Sequence, residues 1–297
     1  MSELWKNRES VIREYYLTLK NLKNINTSFK FINDNIHGPS INSISARPSI
    51  GKSLLVDQIG HEFVKNKFRW LSLQLELTSY DVIKRELIYS NIPANKKEIY
   101  FQNVLNEPID VIENININNL FDTISSYMNY YKGQDILVTI DHLFLVAGCD
   151  NGKNLQPIFS ALVKLKKMGA YIIVLSHLKR DVYLPERCKQ GHVNNQIFEN
   201  DVYMSDTILQ YSDFSVAMDI PMRRGIKIYG PNKIPVNPND IVISTLKNRN
   251  GSRYSYLYHL NDNLTYSYLQ RLDDSGMSVS ITINDKQEEE DFDDTVF

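Results

Sequence analysis

The chain predicts an α/β fold, a mostly parallel central sheet with helices on both faces and antiparallel strands at its C-terminal end. Three observations predict it. Apolar, β-prone runs alternate with helical patterns between about residues 41 and 219, as in a parallel sheet covered on both sides. The first of these runs leads straight into Gly51-Lys52-Ser53 and a helical pattern, a strand–loop–helix junction that turns backbone N–H groups toward one point. Beyond residue 239 three strand-like segments surround Asn250-Gly251, a strong hairpin-turn dipeptide.

Taken in order, residues 3–32 read as one or two polar amphipathic helices, with Leu4, Val11, Ile12, Tyr15, Leu19 and Leu22 at helical spacing. Strands are expected at Ile41–Ala46, Arg69–Leu75, Ile136–Asp141, Tyr171–Ser176 and Phe214–Asp219. Helices are expected between them at Leu54–Lys65, Tyr80–Tyr89, Leu120–Tyr131 and Leu155–Met168. Residues 223–239, with three prolines and two glycines, read as a loop. Asp240–Lys247, Arg253–Leu260 and Thr265–Leu272 read as antiparallel strands. The chain divides into an N-terminal helical segment (1–35), a core (36–274) and an acidic tail (275–297).

Composition narrows the class. A chain of 297 residues, 42% hydrophobic, buries one large core. No apolar run is long enough to span a bilayer, and Met1-Ser2-Glu3 opens no secretory pattern. Cys149 and Cys188 are far apart, and the six histidines show no zinc-type pairing. Reduced thiols and a cytoplasmic location follow, without a membrane partner. The net charge of −2 conceals an asymmetry. Residues 285–297 carry seven acids and one base, a charge of −6 that leaves +4 on the remainder. A mildly basic body with an acidic tail suits a nucleic-acid binder whose tail acts separately.

The richest chemistry lies in Ala46-Arg47-Pro48-Ser49-Ile50-Gly51-Lys52-Ser53. Here a nucleoside triphosphate can be cradled by backbone N–H groups, because Gly51 permits close approach. Lys52 can reach the β- and γ-phosphates, and the Ser53 hydroxyl can ligate Mg²⁺. The usual first glycine of a phosphate loop is replaced by Ala46. Leu137-Val138-Thr139-Ile140-Asp141 is an apolar strand ending in a carboxylate. That carboxylate either caps the following turn or supports Mg²⁺ beside the phosphate loop. Glu76 ends a second strand, either as the water-activating base of a hydrolase or merely ahead of a Thr78 helix cap.

These pieces, in this order, resemble the C-terminal ATPase domain of DnaB-type replicative helicases, hexameric RecA-like proteins. The resemblance rests on Ala46–Ser53, on Gln74-Leu75-Glu76-Leu77-Thr78 through Arg85, and on Ile140-Asp141-His142-Leu143. It continues through Leu175-Ser176-His177-Leu178-Lys179-Arg180, the spaced set Ser205, Ile208, Gln210 and Asp213, and Lys247-Asn248-Arg249-Asn250-Gly251. It covers roughly residues 35–272, and Ala-Arg-Pro-Ser is itself a typical start of that family's loop.

The resemblance implies an ATP- and Mg²⁺-dependent motor that translocates on single-stranded DNA as a homo-oligomeric, hexameric ring. Lys52 and Ser53 would hold phosphate and metal, Asp141 would support the metal, and Glu76 would activate water. His177 stands where the family has a γ-phosphate-sensing glutamine; both side chains donate hydrogen bonds. Lys247 and Arg249 match a pair that reaches the neighbouring subunit's nucleotide. Tyr203 and Asp206 replace the arginine and glycine of the family's DNA-contacting loop, which leaves Lys179, Arg180, Arg187, Lys189 and Tyr203 as candidate strand contacts. The family's N-terminal collar domain has no counterpart among the roughly 40 residues before the core.

The tail ends Asp291-Phe292-Asp293-Asp294-Thr295-Val296-Phe297. It resembles the Phe-terminated acidic tails of single-strand-binding proteins and phage helicases, and implies docking of Phe297 on a polymerase, primase or loader. The expectation is a minimal replicative helicase of phage or mobile-element type, in a bacterial host cytoplasm. The rivals are a RecA- or RadA-like recombination ATPase and a non-unwinding nucleotide-binding scaffold.

Overall fold

The computed structural model describes residues 25–272, apart from 79, 150–153, 250 and most of 82–104, together with residue 12. Eleven strands are described: β1 (Ile41–Ala46), β2 (Arg69–Gln74), β3 (Ile109–Ile112), β4 (Ile136–Asp141), β5 (Tyr171–His177), β6 (Phe214–Asp219), β7 (Ile228–Tyr229), β8 (Ile234–Pro235), β9 (Asp240–Asn248), β10 (Ser255–Leu260) and β11 (Tyr266–Leu272). The α-helices are α1 (Lys30–Asn33), α2 (Lys52–Lys65), α3 (Leu120–Tyr130), α4 (Leu155–Lys167) and α5 (Ser205–Tyr211).

Nine strands form one sheet in the order β11-β10-β9-β6-β1-β5-β4-β2-β3. The six from β6 to β3 run parallel, and β9, β10 and β11 continue the sheet antiparallel from β6. Every residue of β1, β4 and β6 is buried, because parallel strands are covered on both faces and read as unbroken apolar runs. Side chains alternate between the two faces. Ile44, Leu137, Ile173 and Leu175 meet α2 through Leu55, Ile59 and Phe63. Ile41, Val138, Ile172 and Val174 meet α3 and α4 through Ile124, Phe159 and Leu162. The buried side of α4, Leu155, Ile158, Phe159, Leu162 and Leu165, is one stripe at helical spacing. α2 crosses β2 so closely that a Cβ on Gly60 would stand 2.5 Å from Trp70 Cζ2; the indole N–H is anchored on Thr139 Oγ1 at 2.9 Å.

Differences from the expected elements have physical causes. α2 begins at Lys52 rather than Leu54, because Gly51 already adopts φ +95° as its N-cap. β5 runs on to His177 and β9 to Asn248, while β2 stops at Gln74. The loop at 223–239 contains the β7–β8 ladder, held by burial of Ile226, Tyr229 and Val236 against Val242 and Leu257. β3 and α5 were not expected. In the N-terminal segment, Ile12 is helical and 25–29 are not, followed by the single turn of α1. Phe29, Phe31 and Ile32 pack there against Tyr256 and Tyr258. The rest of the 3–32 reading, most of the Tyr80–Tyr89 helix, Arg85, Asn250 and the tail with Phe297 lie outside the described residues.

Candidate nucleotide-binding site

Register brings the candidate residues to one edge of the sheet. Ala46 pairs with His177 on one side and Met218 on the other, and Gln74 pairs with Asp141. The C-terminal ends of β1, β2, β4 and β5 therefore open side by side. The loop after Ala46 turns through Ser49 at φ +64° and Gly51 at φ +95°. A Cβ on Gly51 would stand 3.0 Å from the Tyr266 hydroxyl, which donates to the Gly51 carbonyl at 3.1 Å. The Arg223 guanidinium donates to the Ser49 carbonyl, and Arg47 Nη1 to the Leu178 carbonyl at 2.8 Å.

Lys52 is 7% exposed and points along the sheet edge, donating to the Ser176 carbonyl at 3.3 Å. Burial holds its ammonium below the ordinary lysine range, while the negative charges of Asp141 and then Glu76 act in the opposite sense. Both carboxylates thus lie within electrostatic reach of Lys52. Asp141 is buried and Glu76 is exposed.

His177 is half-buried, and burial and the Lys52 cation depress its basicity. Its ring stacks on His142, with centroids 3.9 Å apart. His142 escaped the sequence reading as a site residue, although it directly follows Asp141. Its imidazole is pulled down to about 2, by burial first and then by Lys52 and His177. Nδ1 accepts the Phe144 N–H at 3.3 Å, so the neutral ring carries its proton on Nε2. Phe144 lies 5.2 Å from His142 and 5.4 Å, edge to face, from Tyr203.

These rings lead into an open cleft of about 830 Å³, bounded by Arg47, Phe144, His177, Lys179, Arg180 and Tyr203. Three of the candidate strand contacts, Lys179, Arg180 and Tyr203, therefore share a cleft with the phosphate loop. Lys189 is exposed elsewhere in the 179–201 loop. Arg187 has a different duty from the one expected. It forms a bidentate pair with Asp201, 2.7 Å on each arm, and donates to the Asn194 and Gln196 carbonyls. All three guanidinium nitrogens are engaged inside the loop, so Arg187 shapes that loop and offers no free donor face. Arg224, also unforeseen, pairs with buried Asp219 at 2.7 Å and donates to the carbonyls of Val182, Arg187 and Asn195.

Lys247 and Arg249 are not brought to the phosphate loop. Lys247 pairs with Ser215, which lies beside Ser43, and the Arg249 N–H donates to the Asp213 carbonyl at 2.9 Å. Asp213 adjoins Ile41, the start of β1. Five residues separate Ile41 from Ala46, so Arg249 sits roughly 16 Å away along the strand, at the opposite end of the sheet. The Lys247 ammonium donates to the Leu209 and Gln210 carbonyls and is lowered by burial and then by the Arg249 cation. Asp213 likewise carries more of the site than its sequence position suggested.

The donor set fits a magnesium nucleotide. The described residues hold no cluster of three or more His, Cys, Asp or Glu that could bind a metal ion. A cation arriving with phosphates needs fewer protein ligands, one hydroxyl and one carboxylate serving as Ser53 and Asp141 could. No helix among the described residues is long and apolar enough to cross a membrane.

No protein-family model matches the sequence, and no curated protein matches it. Solved structures do match in shape. A helicase ATPase domain solved on its own superposes with a TM-score of 0.71 at 17% identity, covering 90% of this chain and 100% of that one. A DnaB-like replicative helicase, described with its interactions with primase, gives 0.70 at 17% identity, covering 90% and 67%. With its parallel core, antiparallel C-terminal strands and phosphate loop after β1, this chain has the RecA-like fold of DnaB-type helicase ATPase domains.

Proposed function

We propose that the chain is an ATP-driven DNA helicase motor that hydrolyses ATP between subunits of a closed ring while moving along single-stranded DNA. The observation that carries this reading is the division of the candidate machinery between opposite ends of one sheet. Lys52, Glu76, Asp141 and His177 line one end, and Lys247 and Arg249 line the other. Only head-to-tail packing brings the two halves together, and that packing yields rings when its rotation closes.

In this reading the loop N–H groups and Lys52 bind the triphosphate, and Ser53 and Asp141 hold Mg²⁺. The metal supplies charge neutralisation at the phosphates. Glu76 accepts a proton from the attacking water. Arg249 of the adjoining subunit approaches the γ-phosphate and stabilises the charge that develops there. His177 stands between the phosphates and the cleft of Lys179, Arg180 and Tyr203. There a strand backbone finds cations and a base finds an aromatic face.

The test is an ATPase assay with and without single-stranded DNA beside a forked-duplex unwinding assay. DNA-stimulated hydrolysis with unwinding supports the motor. Strand exchange without unwinding favours a recombination ATPase, and nucleotide binding with neither activity favours a scaffold.

A further inference from the structure

We propose that Asp213 and Lys166 form a holding station for Arg249, retaining its guanidinium within its own subunit and releasing it to a neighbouring nucleotide. Both are positioning residues, and the inference rests on the trans role of Arg249 proposed above.

The carboxylate of Asp213 is nearly buried at the start of β6. Lys166, in the last turn of α4, donates to both its oxygens at 2.8 and 2.7 Å. The N–H of Ile41 donates to Oδ2 at 2.9 Å. Arg249 Nη1 reaches Oδ1 at 3.2 Å, longer than any of these, and its side chain is 46% exposed. Nη2 rests on the Gln210 carbonyl at the end of α5, at 2.5 Å. Arg249 is thus the outermost and most weakly held of three partners on one carboxylate.

That ranking makes release inexpensive. A buried carboxylate stripped of its only cation would be left uncompensated. When Arg249 departs, Lys166 and the Ile41 N–H still satisfy Asp213, so no buried charge is stranded. Without Lys166, Arg249 becomes the sole cation on Asp213 and its departure strands the carboxylate. Lys166 therefore sets how readily Arg249 leaves, without approaching a nucleotide in either subunit. The backbone bond from the Arg249 N–H to the Asp213 carbonyl keeps the base of the side chain in place while its tip moves.

The experiment measures steady-state ATP hydrolysis by full-length Lys166→Met, Lys166→Arg, Asp213→Asn and Lys166→Met/Asp213→Asn, with Arg249→Ala as reference. The expected result is that Lys166→Met lowers kcat about tenfold with KM for ATP unchanged. Lys166→Arg keeps turnover near the wild type. Adding Asp213→Asn to Lys166→Met restores turnover, because the neutral amide still accepts the Ile41 N–H but holds Arg249 weakly. Mixing Lys166→Met subunits with Lys52→Ala subunits also restores hydrolysis, since intact stations then serve intact phosphate loops. A merely structural defect yields neither suppression nor rescue by mixing. Wild-type turnover in Lys166→Met, or a double variant worse than Lys166→Met alone, overturns the proposal. If Arg249→Ala itself retains full turnover, the trans reading fails and the station falls with it. If Arg249→Ala is inactive and the Lys166→Met defect resists mixing, only the station is refuted.

Discussion

A methyl group at residue 60 has no room, because the indole of Trp70 occupies the place where the Cβ would stand. Neither backbone in that crossing can yield cheaply: α2 carries the phosphate loop at its start, and Trp70 is tied to Thr139. Gly60→Ala is expected to destabilise the fold by about 1–3 kcal/mol, read as a lower denaturant midpoint with an unchanged slope. At the nucleotide end, Lys52 and Glu76 differ in burial and so in the consequence of their loss. Lys52→Ala removes a buried phosphate ligand and is expected to abolish both nucleotide binding and turnover. Glu76→Gln keeps the shape of an exposed side chain and is expected to bind nucleotide normally while losing turnover. Filter-binding or fluorescence titration with labelled ATP separates the two, and wild-type hydrolysis by Glu76→Gln removes that residue from its role.

Among the elements, the short helical stretch Pro221–Arg224 joins two functional loops. Arg223 holds the phosphate loop at Ser49, and Arg224 holds the 179–201 loop through three carbonyls and its ion pair with Asp219. Replacing Arg224 by Ala strands the buried Asp219 carboxylate, at an expected cost of about 3–5 kcal/mol. Burial already raises the pKa of Asp219 against the opposing pull of Arg224; without the arginine it rises further. The folded variant then binds a proton that the unfolded chain binds only near pH 3.8. Stability of Arg224→Ala should accordingly increase as pH falls from neutrality toward that value. A deficit that stays constant from pH 7 to 5 in urea melts would contradict this.

Much of this level was legible in the sequence. The fully buried strands β1, β4 and β6 appear as apolar runs with sharp ends, so their limits and the positions of Asp141 and His177 follow directly. β3 is four residues long and only half-buried, which leaves no periodic signal. His142, Asp213, Arg223 and Arg224 gain their roles from strand order and register, which no local pattern encodes. Arg187 misled for the same reason, since its partner Asp201 comes from the loop's own return path.

For the whole molecule, charge is the property that separates body from tail. Removing residues 285–297 moves the net charge from −2 to +4. If the tail docks on a replication partner, Phe297→Ala should weaken that complex by about 2–3 kcal/mol, the worth of one buried phenyl ring. Affinity of the truncated chain for single-stranded DNA should remain that of the intact chain. Titration of each variant against DNA and against a candidate polymerase, primase or loader measures both. Tighter DNA binding with partner affinity intact would assign the tail to screening the strand cleft.

The separation of Lys52 from Arg249 along the sheet gives each subunit a donor end and an acceptor end. A row of n such subunits contains n−1 completed junctions, and joining its ends supplies the missing one. Hydrolysis per subunit therefore climbs as (n−1)/n with the length of an open row and reaches its full value abruptly on circularisation. The rate of phosphate release, normalised to protein, becomes a topological gauge that distinguishes an arc from a loop without any image of either.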